Sequence, residues 1–197
     1  MAFPAIHPQL ADIPWKSALC FTGHRPEKLP DGEILRGLTA ALYYYIRQAV
    51  QLGFTHYFTG LADGIDYLAA DYLFALREQN PNIYVIGIQP CTDYEQFYRY
   101  RGYSLAHLHR MQESVDRLVI LSGSVWEKGI FLRRNRLMAD HSSAVIAVCD
   151  DGRSGSMYTL SYARRHGLAY CRLYPTPPDG NIPAPQDWHI EQNGFLV

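Results

Sequence analysis

A short loop of small and acidic residues at 149–156 carries the clearest chemical signal in this sequence. It reads Cys-Asp-Asp-Gly-Arg-Ser-Gly-Ser, follows the apolar run Ala144 to Val148, and precedes a helical pattern from Met157 to His166. Glycines let the backbone approach a ligand, and the free N–H groups and dipole of a helix N-terminus attract negative charge. The loop therefore predicts a site for a phosphate or another anion, formed by Gly152, Ser154, Gly155 and Ser156.

Two more strand-end loops have the same character. Residues 22–25 (Thr-Gly-His-Arg) and 59–64 (Thr-Gly-Leu-Ala-Asp-Gly) each follow an apolar run. An arginine fits a phosphate with two hydrogen bonds, and a histidine can donate or transfer a proton. The alternative is that His24 and Arg25 only stabilise a loop that leads to Pro26. Three such loops in one small domain favour a shared ligand pocket, to which these two would contribute Thr22, Gly23, His24, Arg25, Thr59 and Gly60.

Two aspartates mark the end of the second loop. Asp63 stands where a helix N-cap belongs, and capping explains this residue without any ligand. Asp66 follows three residues later, in the expected first turn, where the helix dipole favours a carboxylate. Two roles for Asp66 stay open, namely helix capping and a hydrogen bond to a ribose hydroxyl.

The segment 131–140 reads Phe-Leu-Arg-Arg-Asn-Arg-Leu-Met-Ala-Asp and contains three arginines in four positions. Such a cluster is usually the solvated face of a helix. The alternative is that Arg134 and Asn135 reach the pocket, where the arginine would neutralise a nucleotide phosphate and the asparagine would orient it.

Aromatic residues alternate with arginines between Tyr94 and Arg110. Aromatic rings interleaved with arginines can stack nucleic-acid bases, but aromatic residues at helical spacing more often form a core or a dimer surface. If the first interpretation holds, affinity for single-stranded DNA falls steeply with salt. The surface would then consist of Tyr98, Tyr100, Arg99, Arg101, Arg133 and Arg136.

Short apolar runs alternate with helical patterns along the whole chain. The runs are rich in Ile, Val, Tyr and Phe and mostly lack strict polar alternation, as in strands that are covered on both faces. The pattern predicts an α/β, Rossmann-like, doubly wound fold with a mainly parallel six-stranded sheet and helices on both faces. Strands are predicted at 17–22, 55–59, 83–89, 117–121, 144–149 and 169–173, and helices at 32–52, 65–77, 94–114, 129–141 and 157–166.

A sheet of this kind binds ligands beyond the carboxyl ends of its strands, at the point where the strand order reverses. With the usual order 3-2-1-4-5-6, strands one and four would flank that crevice. The loops after strands one, two, four and five would then surround one ligand.

The composition is that of an ordinary globular domain. The chain has 197 residues and a net charge of -1, so no global field attracts nucleic acid or acidic membranes. The four cysteines lack metal-binding spacing and lie mostly in apolar runs, which predicts buried, reduced thiols, no metal site and a cytoplasmic location. We expect no signal peptide and no membrane span. Residues 1–173 are predicted to form one domain, and the proline-rich residues 174–197 an extension packed on its surface.

Several of these motifs together resemble the SLOG superfamily, and within it the YpsA-like DUF1273 branch, which is related to the DprA DNA-processing proteins and the LOG phosphoribohydrolases. They fall in order between Cys20 and about Leu173, which is most of the chain. The resemblance is carried by Phe-Thr-Gly-His-Arg-Pro-Glu-Lys-Leu at 21–29, Thr-Gly-Leu-Ala-Asp-Gly-Ile-Asp at 59–66, Pro90 with Glu95 and Gln96, Arg-Asn-Arg-Leu-Met at 134–138, and Ser-Gly-Ser at 154–156.

The resemblance implies a Rossmann-like domain that binds or senses a nucleotide or a nucleotide-derived ligand, such as an ADP-ribose-like molecule, and that self-associates as a homodimer or a larger homo-oligomer. In the LOG enzymes a glutamate of the Pro-Gly-Gly-x-Gly-Thr-x-x-Glu motif takes part in glycosidic-bond hydrolysis, and its position here is Thr159. A LOG-like nucleotide N-glycosidic hydrolase is one alternative, in which Asp63, Asp66 or Glu95 would replace that carboxylate. A DprA-like single-stranded DNA binder is the other alternative.

Overall fold

A seven-stranded sheet forms the centre of the fold in the computed structural model, which describes residues 7–123 and 127–195. The strands are β1 (Ala18–Gly23), β2 (His56–Thr59), β3 (Tyr84–Gln89), β4 (Arg117–Ile120), β5 (Ala144–Val148), β6 (Ala169–Leu173) and β7 (Ile190–Asn193). Their order is β4-β3-β2-β1-β5-β6-β7, in which only β7 is antiparallel to its neighbour. The predicted α/β, Rossmann-like fold class is confirmed, with one strand more than expected.

Six α-helices of the described residues cover both faces of the sheet. They are α1 (Gly32–Gln51), α2 (Ile65–Arg77), α3 (Tyr94–Arg101), α4 (Leu105–Ser114), α5 (Ile130–Asp140) and α6 (Gly155–Arg165). Apolar side chains of α1 to α4 form the core on one face, and those of α5 and α6 form the core on the other. Within the described ranges, none of these helices is long and apolar enough to cross a membrane.

The strand order differs from the predicted one, which is wrong in the place of the fourth strand. The strand β4 lies at the edge of the sheet beside β3, and Leu118 and Ile120 are exposed there. The strand β5 is buried at every position and lies beside β1. A fully apolar strand is stabilised by neighbours on both sides and helices on both faces, so β5 takes an interior position. The crevice is therefore flanked by β1 and β5.

The helix predicted from Tyr94 to Ser114 is two helices. Gly102 ends α3 in a left-handed conformation with φ 68°, which is accessible to glycine at little cost. Two residues later, Ser104 caps α4 by accepting a hydrogen bond from the backbone N–H of His107. The chain reverses there, and α4 packs against both α2 and α3.

The C-terminal segment contributes both a strand and core residues. The strand β7 pairs with β6, a pairing that the proline-rich composition did not predict. Trp188 and Phe195 are buried in the core on the α1 face, and the Trp188 indole N–H donates to the carbonyl of Tyr174. This segment therefore holds the edge of the sheet beside β6.

The four cysteines, Cys20, Cys91, Cys149 and Cys171, are all free and buried, including Cys91, which lies outside the predicted strands. Burial raises the pKa of Cys149 to about 11, so its thiol is uncharged at neutral pH.

Candidate functional site

A cavity of about 220 Å³ opens beyond the carboxyl ends of β1 and β5, where the strand order reverses. Sheets of this kind bind ligands at that point. The loop after β1, the start of α2, one face of α5 and the start of α6 surround the cavity. Ten of the predicted residues line it, namely Thr22, Gly23, His24, Arg25, Asp66, Arg134, Asn135, Ser154, Gly155 and Ser156.

A larger cavity, of about 650 Å³, lies along the opposite side of α5. Lys128, Arg133 and Arg136 contribute to its wall, but it contains none of the residues predicted to bind a nucleotide. Volume alone does not identify a binding site, and the smaller cavity is the one in which the predicted polar groups converge.

The first turn of α6 presents the positive end of a helix to the smaller cavity. Ser154 is the N-cap, and its hydroxyl accepts a hydrogen bond from the backbone N–H of Met157 at 3.1 Å. The helix begins at Gly155, two residues earlier than predicted, so Gly155 and Ser156 belong to its first turn. A Cβ atom added at Gly155 would meet no other atom within 4 Å. The space in front of the helix is therefore open to an anion.

Arg25 brings a positive charge to the same cavity. Its Nη1 atom is buried and has no hydrogen-bond partner among the described residues. The guanidinium lies over the rings of Phe97 and Tyr103, 5.9 Å and 5.6 Å from their centroids. Burial opposes its charge, but Tyr94 and Asp66 raise the pKa of Arg25 above its ordinary value. A buried cationic N–H without a partner is costly, and an anion in the cavity would satisfy it.

Arg134 also lines the cavity, but other parts of the protein already occupy its guanidinium. Its Nη1 donates to the carbonyl of Gly60 at 2.7 Å, and its Nη2 and Nε donate to the Asn135 side-chain oxygen at 2.8 Å and 3.1 Å. The Asn135 amide in turn donates to the Thr159 hydroxyl, which donates to the carbonyl of Gly155. This hydrogen-bond chain joins the loop after β2 to the start of α6. The predicted phosphate contacts of Arg134 and Asn135 remain predictions.

The three neighbouring arginines of α5 have different environments. Arg134 is only 5% exposed, whereas Arg133 and Arg136 are on the surface, as the solvated-face interpretation predicts for them. Arg136 contacts the hydroxyl of Tyr158 on α6, and Arg133 pairs with Glu127 at 3.4 Å. The helix α5 therefore presents Arg134 to the cavity and Arg133 and Arg136 to solvent.

Gly60 allows Arg134 and Asp66 to approach the loop after β2. A Cβ atom at Gly60 would lie 2.7 Å from the Arg134 guanidinium carbon and 2.9 Å from an Asp66 carboxylate oxygen. Thr59 is fully buried behind this contact, and its hydroxyl accepts a hydrogen bond from the N–H of Leu61. Neither Thr59 nor Gly60 lines the cavity. Gly60 supports two residues that do, Arg134 and Asp66.

Asp66 reaches the floor of the cavity from the first turn of α2. Its carboxylate accepts a hydrogen bond at 2.9 Å from the N–H of Gly60, a residue of the loop before α2 and not of the helix itself. Burial raises the pKa of Asp66, although Arg134 and Arg25 act in the opposite direction. The geometry thus departs from helix capping, and the contact with a ribose hydroxyl remains a prediction.

Asp63 is not the N-cap of α2, so that prediction is wrong. The N-cap is Gly64, whose φ of 95° favours glycine and whose added Cβ would lie 2.5 Å from the carbonyl of His24. The Asp63 carboxylate instead accepts from the N–H of Ser104 at 3.0 Å and lies 2.8 Å from Nδ1 of His107. It fastens α4 to the loop after β2 and does not line the cavity.

Two other predicted residues lie outside the cavity. Glu95, on α3, is half-buried and pairs with His109 at 2.7 Å and with Arg99 at 3.4 Å. Gly152 lies in an exposed turn, where its N–H donates to the Asp150 carboxylate at 2.9 Å. Neither is positioned to touch a ligand in the cavity as the structure stands.

His24 forms part of the wall between the loops that follow β1 and β5. Its Nε2 accepts a hydrogen bond from the N–H of Asp150 at 3.2 Å, so this nitrogen carries no proton. Burial lowers the pKa of His24, even though the Asp150 carboxylate acts against this effect. The ring is therefore neutral at pH 7 and joins the two loops.

The aromatic residues of α3 belong mainly to the core, as the second interpretation of that segment predicts. Tyr94 and Tyr98 are buried, and the Tyr98 hydroxyl donates to a carbonyl in the loop after β2. Arg99 and Arg101 each pair with a glutamate. Tyr98 is therefore unable to stack a base, whereas Tyr100 is 87% exposed.

Seven further residues line the cavity but were not singled out from the sequence as ligand contacts, and two of them, Phe21 and Ala62, belong to the motifs at 21–29 and 59–66. Glu27 and Lys28 belong to the motif at 21–29, next to residues that were singled out. The other three occupy the same face of α5 as Arg134 and Asn135, at spacings of three or four, and this periodicity could have identified them. They are Phe131, Leu132 and Met138.

Comparisons with known proteins identify the relatives of this chain. An uncharacterized SPbeta prophage-derived protein of Bacillus subtilis (strain 168), YoqJ, is 28% identical over 136 residues, which are 64% of this chain and 78% of that protein. The structure of DNA processing protein A (DprA) from Streptococcus pneumoniae superposes with a TM-score of 0.53 and 22% identity, over 78% of this chain and 48% of that one. This chain thus spans about half the length of the pneumococcal protein.

A second solved structure matches over more of the chain. It is DNA processing protein A from Helicobacter pylori, described for its single-stranded DNA binding mode, with a TM-score of 0.55 and 22% identity over 92% of this chain and 74% of that one. At this identity the two structures support the fold. The model of the family described as DNA recombination-mediator protein A matches residues 39–180, most of the chain. The chain therefore belongs to the DNA recombination-mediator protein A family.

Proposed function

We propose that this protein binds a nucleotide or a nucleotide-derived ligand, with a phosphate at the N-terminus of α6. One coincidence supports this proposal: an open helix N-terminus and a buried arginine N–H without a described partner line the same cavity. Helix N-termini attract anions, and arginine forms strong charge-assisted hydrogen bonds with phosphate. The phosphate would accept hydrogen bonds from the amides of Gly155 and Ser156 and from Arg25.

The size of the cavity limits how much of the ligand it encloses. Its volume of about 220 Å³ is below the ~300–1,000 Å³ of pockets that bury a drug-sized molecule. We therefore expect it to hold a phosphate and the attached sugar, with Asp66 accepting a hydrogen bond from a ribose hydroxyl. The rest of an ADP-ribose-like molecule would extend out of the cavity, along the apolar surface of Phe131 and Leu132.

Substitution of Gly155 tests the proposal with a matched pair of variants. Gly155→Asp places a negative charge in the open space before α6, whereas Gly155→Asn adds a side chain of the same size without the charge. An acidic residue in the first turn stabilises a helix by about 0.3–1 kcal/mol, so the aspartate variant is expected to stay folded. We expect titration calorimetry with ADP-ribose, AMP and orthophosphate to show that aspartate lowers the affinity at least tenfold more than asparagine does.

Equal affinities of the two variants would show that the ligand does not approach the end of α6. A parent protein that binds none of the three probes would contradict the proposal itself. If AMP or ADP-ribose does bind, chromatography of the incubated mixture for free base or free ribose tests whether the ligand is also hydrolysed.

Membership of the family favours a second candidate function, the binding of single-stranded DNA. The H. pylori protein is described as binding single-stranded DNA, and here Tyr100, Arg133 and Arg136 are exposed. The pairing of Arg99 and Arg101 with glutamates weakens the case, because paired arginines neutralise less phosphate. Fluorescence anisotropy of a labelled oligonucleotide at several salt concentrations tests this function. A steep loss of affinity with salt supports it, and weak, flat binding at low salt contradicts it.

A further inference from the structure

Arg172, on β6, is the largest of the fully buried side chains, and the predicted ligand contacts do not include it. Its Nε donates to the carbonyl of Cys149 at 3.1 Å, and its Nη2 donates to the Asp151 carboxylate at 2.8 Å. Its Nη1 donates to the Tyr174 hydroxyl at 3.0 Å and to the Glu191 carboxylate at 3.2 Å. All three nitrogens of this guanidinium therefore have partners.

Apart from Tyr174, which directly follows β6, these partners belong to two separate parts of the chain. Cys149 and Asp151 lie in the loop between β5 and α6, which leads to the proposed phosphate site. Glu191 belongs to β7, the strand that the C-terminal segment adds to the sheet. Burial opposes the charge of Arg172, but its carboxylate partners raise the pKa of Arg172 above its ordinary value. A buried cation is stable only while such partners stay in place, so its position and theirs depend on one another.

The loop between β5 and α6 is held from both sides. On the β1 side, the N–H of Asp150 donates to His24. On the β6 side, Arg172 binds the next residue, Asp151. Glu191 itself is anchored by Arg164 of α6, at 2.5 Å, and by the Tyr170 hydroxyl, at 3.0 Å. These contacts extend from the C-terminal strand to the first residues of the loop.

We infer that Arg172 positions the loop 149–154 for anion binding and that β7, through Glu191, holds Arg172 in that arrangement. This inference rests on the proposed function, since it assigns the control of that same site to a strand outside the cavity. It means that the C-terminal segment sets the affinity for a ligand that it does not touch.

Hydrogen exchange measured by mass spectrometry tests the coupling without any ligand. Glu191→Ala removes the carboxylate that faces Arg172, and Gln192→Ala, at the exposed neighbouring position of the same strand, is the matched control. Because a charged hydrogen bond is lost, we expect amides of 149–158 to exchange about tenfold faster in Glu191→Ala than in the control. Unchanged exchange in that segment, or acceleration limited to β7, overturns the inference.

A second variant removes the loop side of the contact. The Asp151 side chain is 80% exposed, so Asp151→Ala is expected to leave the fold intact. Loss of a negative charge near an anion site would by itself strengthen binding, whereas loss of positioning weakens it. We expect the affinity for ADP-ribose and orthophosphate to fall severalfold, and an increase overturns the inference. A parent protein that binds neither probe contradicts the proposed function, and the exchange experiment still decides the coupling.

Discussion

Arg25 and Arg134 line the same cavity, but their guanidinium groups have different surroundings. Arg134 donates hydrogen bonds to Gly60 and Asn135, whereas Arg25 has a buried Nη1 without a described partner. The first arginine joins a loop to a helix, and the second remains available to a ligand. Residue type and position at a strand end are thus not enough to assign a binding role. The hydrogen bonds that the protein already makes must be counted first.

The largest loss of stability is expected from replacement of Arg134, the arginine with a structural role. Arg134→Met would leave the Gly60 carbonyl and the Asn135 oxygen without their donor, and it would remove a cation beside the buried Asp66. Breaking a buried charged network in this way costs about 3–5 kcal/mol. Urea unfolding measures the loss, with Arg36→Met on the exposed face of α1 as the control. A loss below about 1 kcal/mol, which is typical of surface pairs, would mean that Arg134 is not structural.

A smaller loss is expected from Gly60→Ala, which tests the same region without removing a charge. The added methyl group would lie 2.7 Å from the Arg134 guanidinium carbon, and overpacking of this kind costs about 1–3 kcal/mol. Gly155→Ala is the matched control, because the methyl group there enters open space. Equal urea midpoints for the two variants would show that Arg134 is free to move away from Gly60.

His24, in the wall of the cavity, is expected to make the stability of the protein depend on pH. Because burial lowers the pKa of His24 from 6.5, the unfolded chain binds more protons just below that pH, and stability should fall as the pH falls through it. His24→Gln can keep an acceptor for the N–H of Asp150 but does not titrate. The stability of the variant should therefore fall less steeply than that of the parent, and the two slopes should differ by at most about 1.4 kcal/mol per pH unit. His56, whose pKa burial also lowers, keeps part of the slope in the variant. Identical slopes would contradict the neutral, buried state of His24.

The smallest change in stability is expected from replacement of Arg25, the arginine that remains available to a ligand. Arg25→Met removes a cation near the buried Asp66, which is unfavourable, and a buried N–H that has no described partner, which is favourable. Because the two effects oppose each other, the net cost should stay within about 1 kcal/mol. The same variant should lose most of its affinity for orthophosphate and ADP-ribose, which titration calorimetry measures. Large destabilisation would mean that Arg25 is structural like Arg134, and unchanged affinity would remove it from the site.

Much of the fold followed from local patterns. The six predicted strands and the fold class are confirmed, because alternating apolar runs and helical periods are properties of neighbouring residues. The strand order was not predicted in this way, because strand pairing joins distant segments, although the fully apolar run of β5 and the arginine at the start of β4 were signals for it. The break within 94–114 had a local signal, Gly102, but the aromatic periodicity on both sides of it favoured a single helix.

The features of the candidate site also divide into those that depend on neighbouring residues and those that depend on distant segments. By itself, the sequence determined that glycine-rich loops follow β1, β2 and β5 and that Ser154 precedes a helix, because turns, caps and helix dipoles depend on residues a few positions apart. Only the tertiary structure decided that Asp63 turns to α4, that Arg134 is occupied by Gly60, 74 positions away, and that Arg25 keeps an N–H with no partner in the described ranges. Hydrogen-bond satisfaction depends on groups from distant segments, and the packing of those segments determines which polar residues remain free for a ligand.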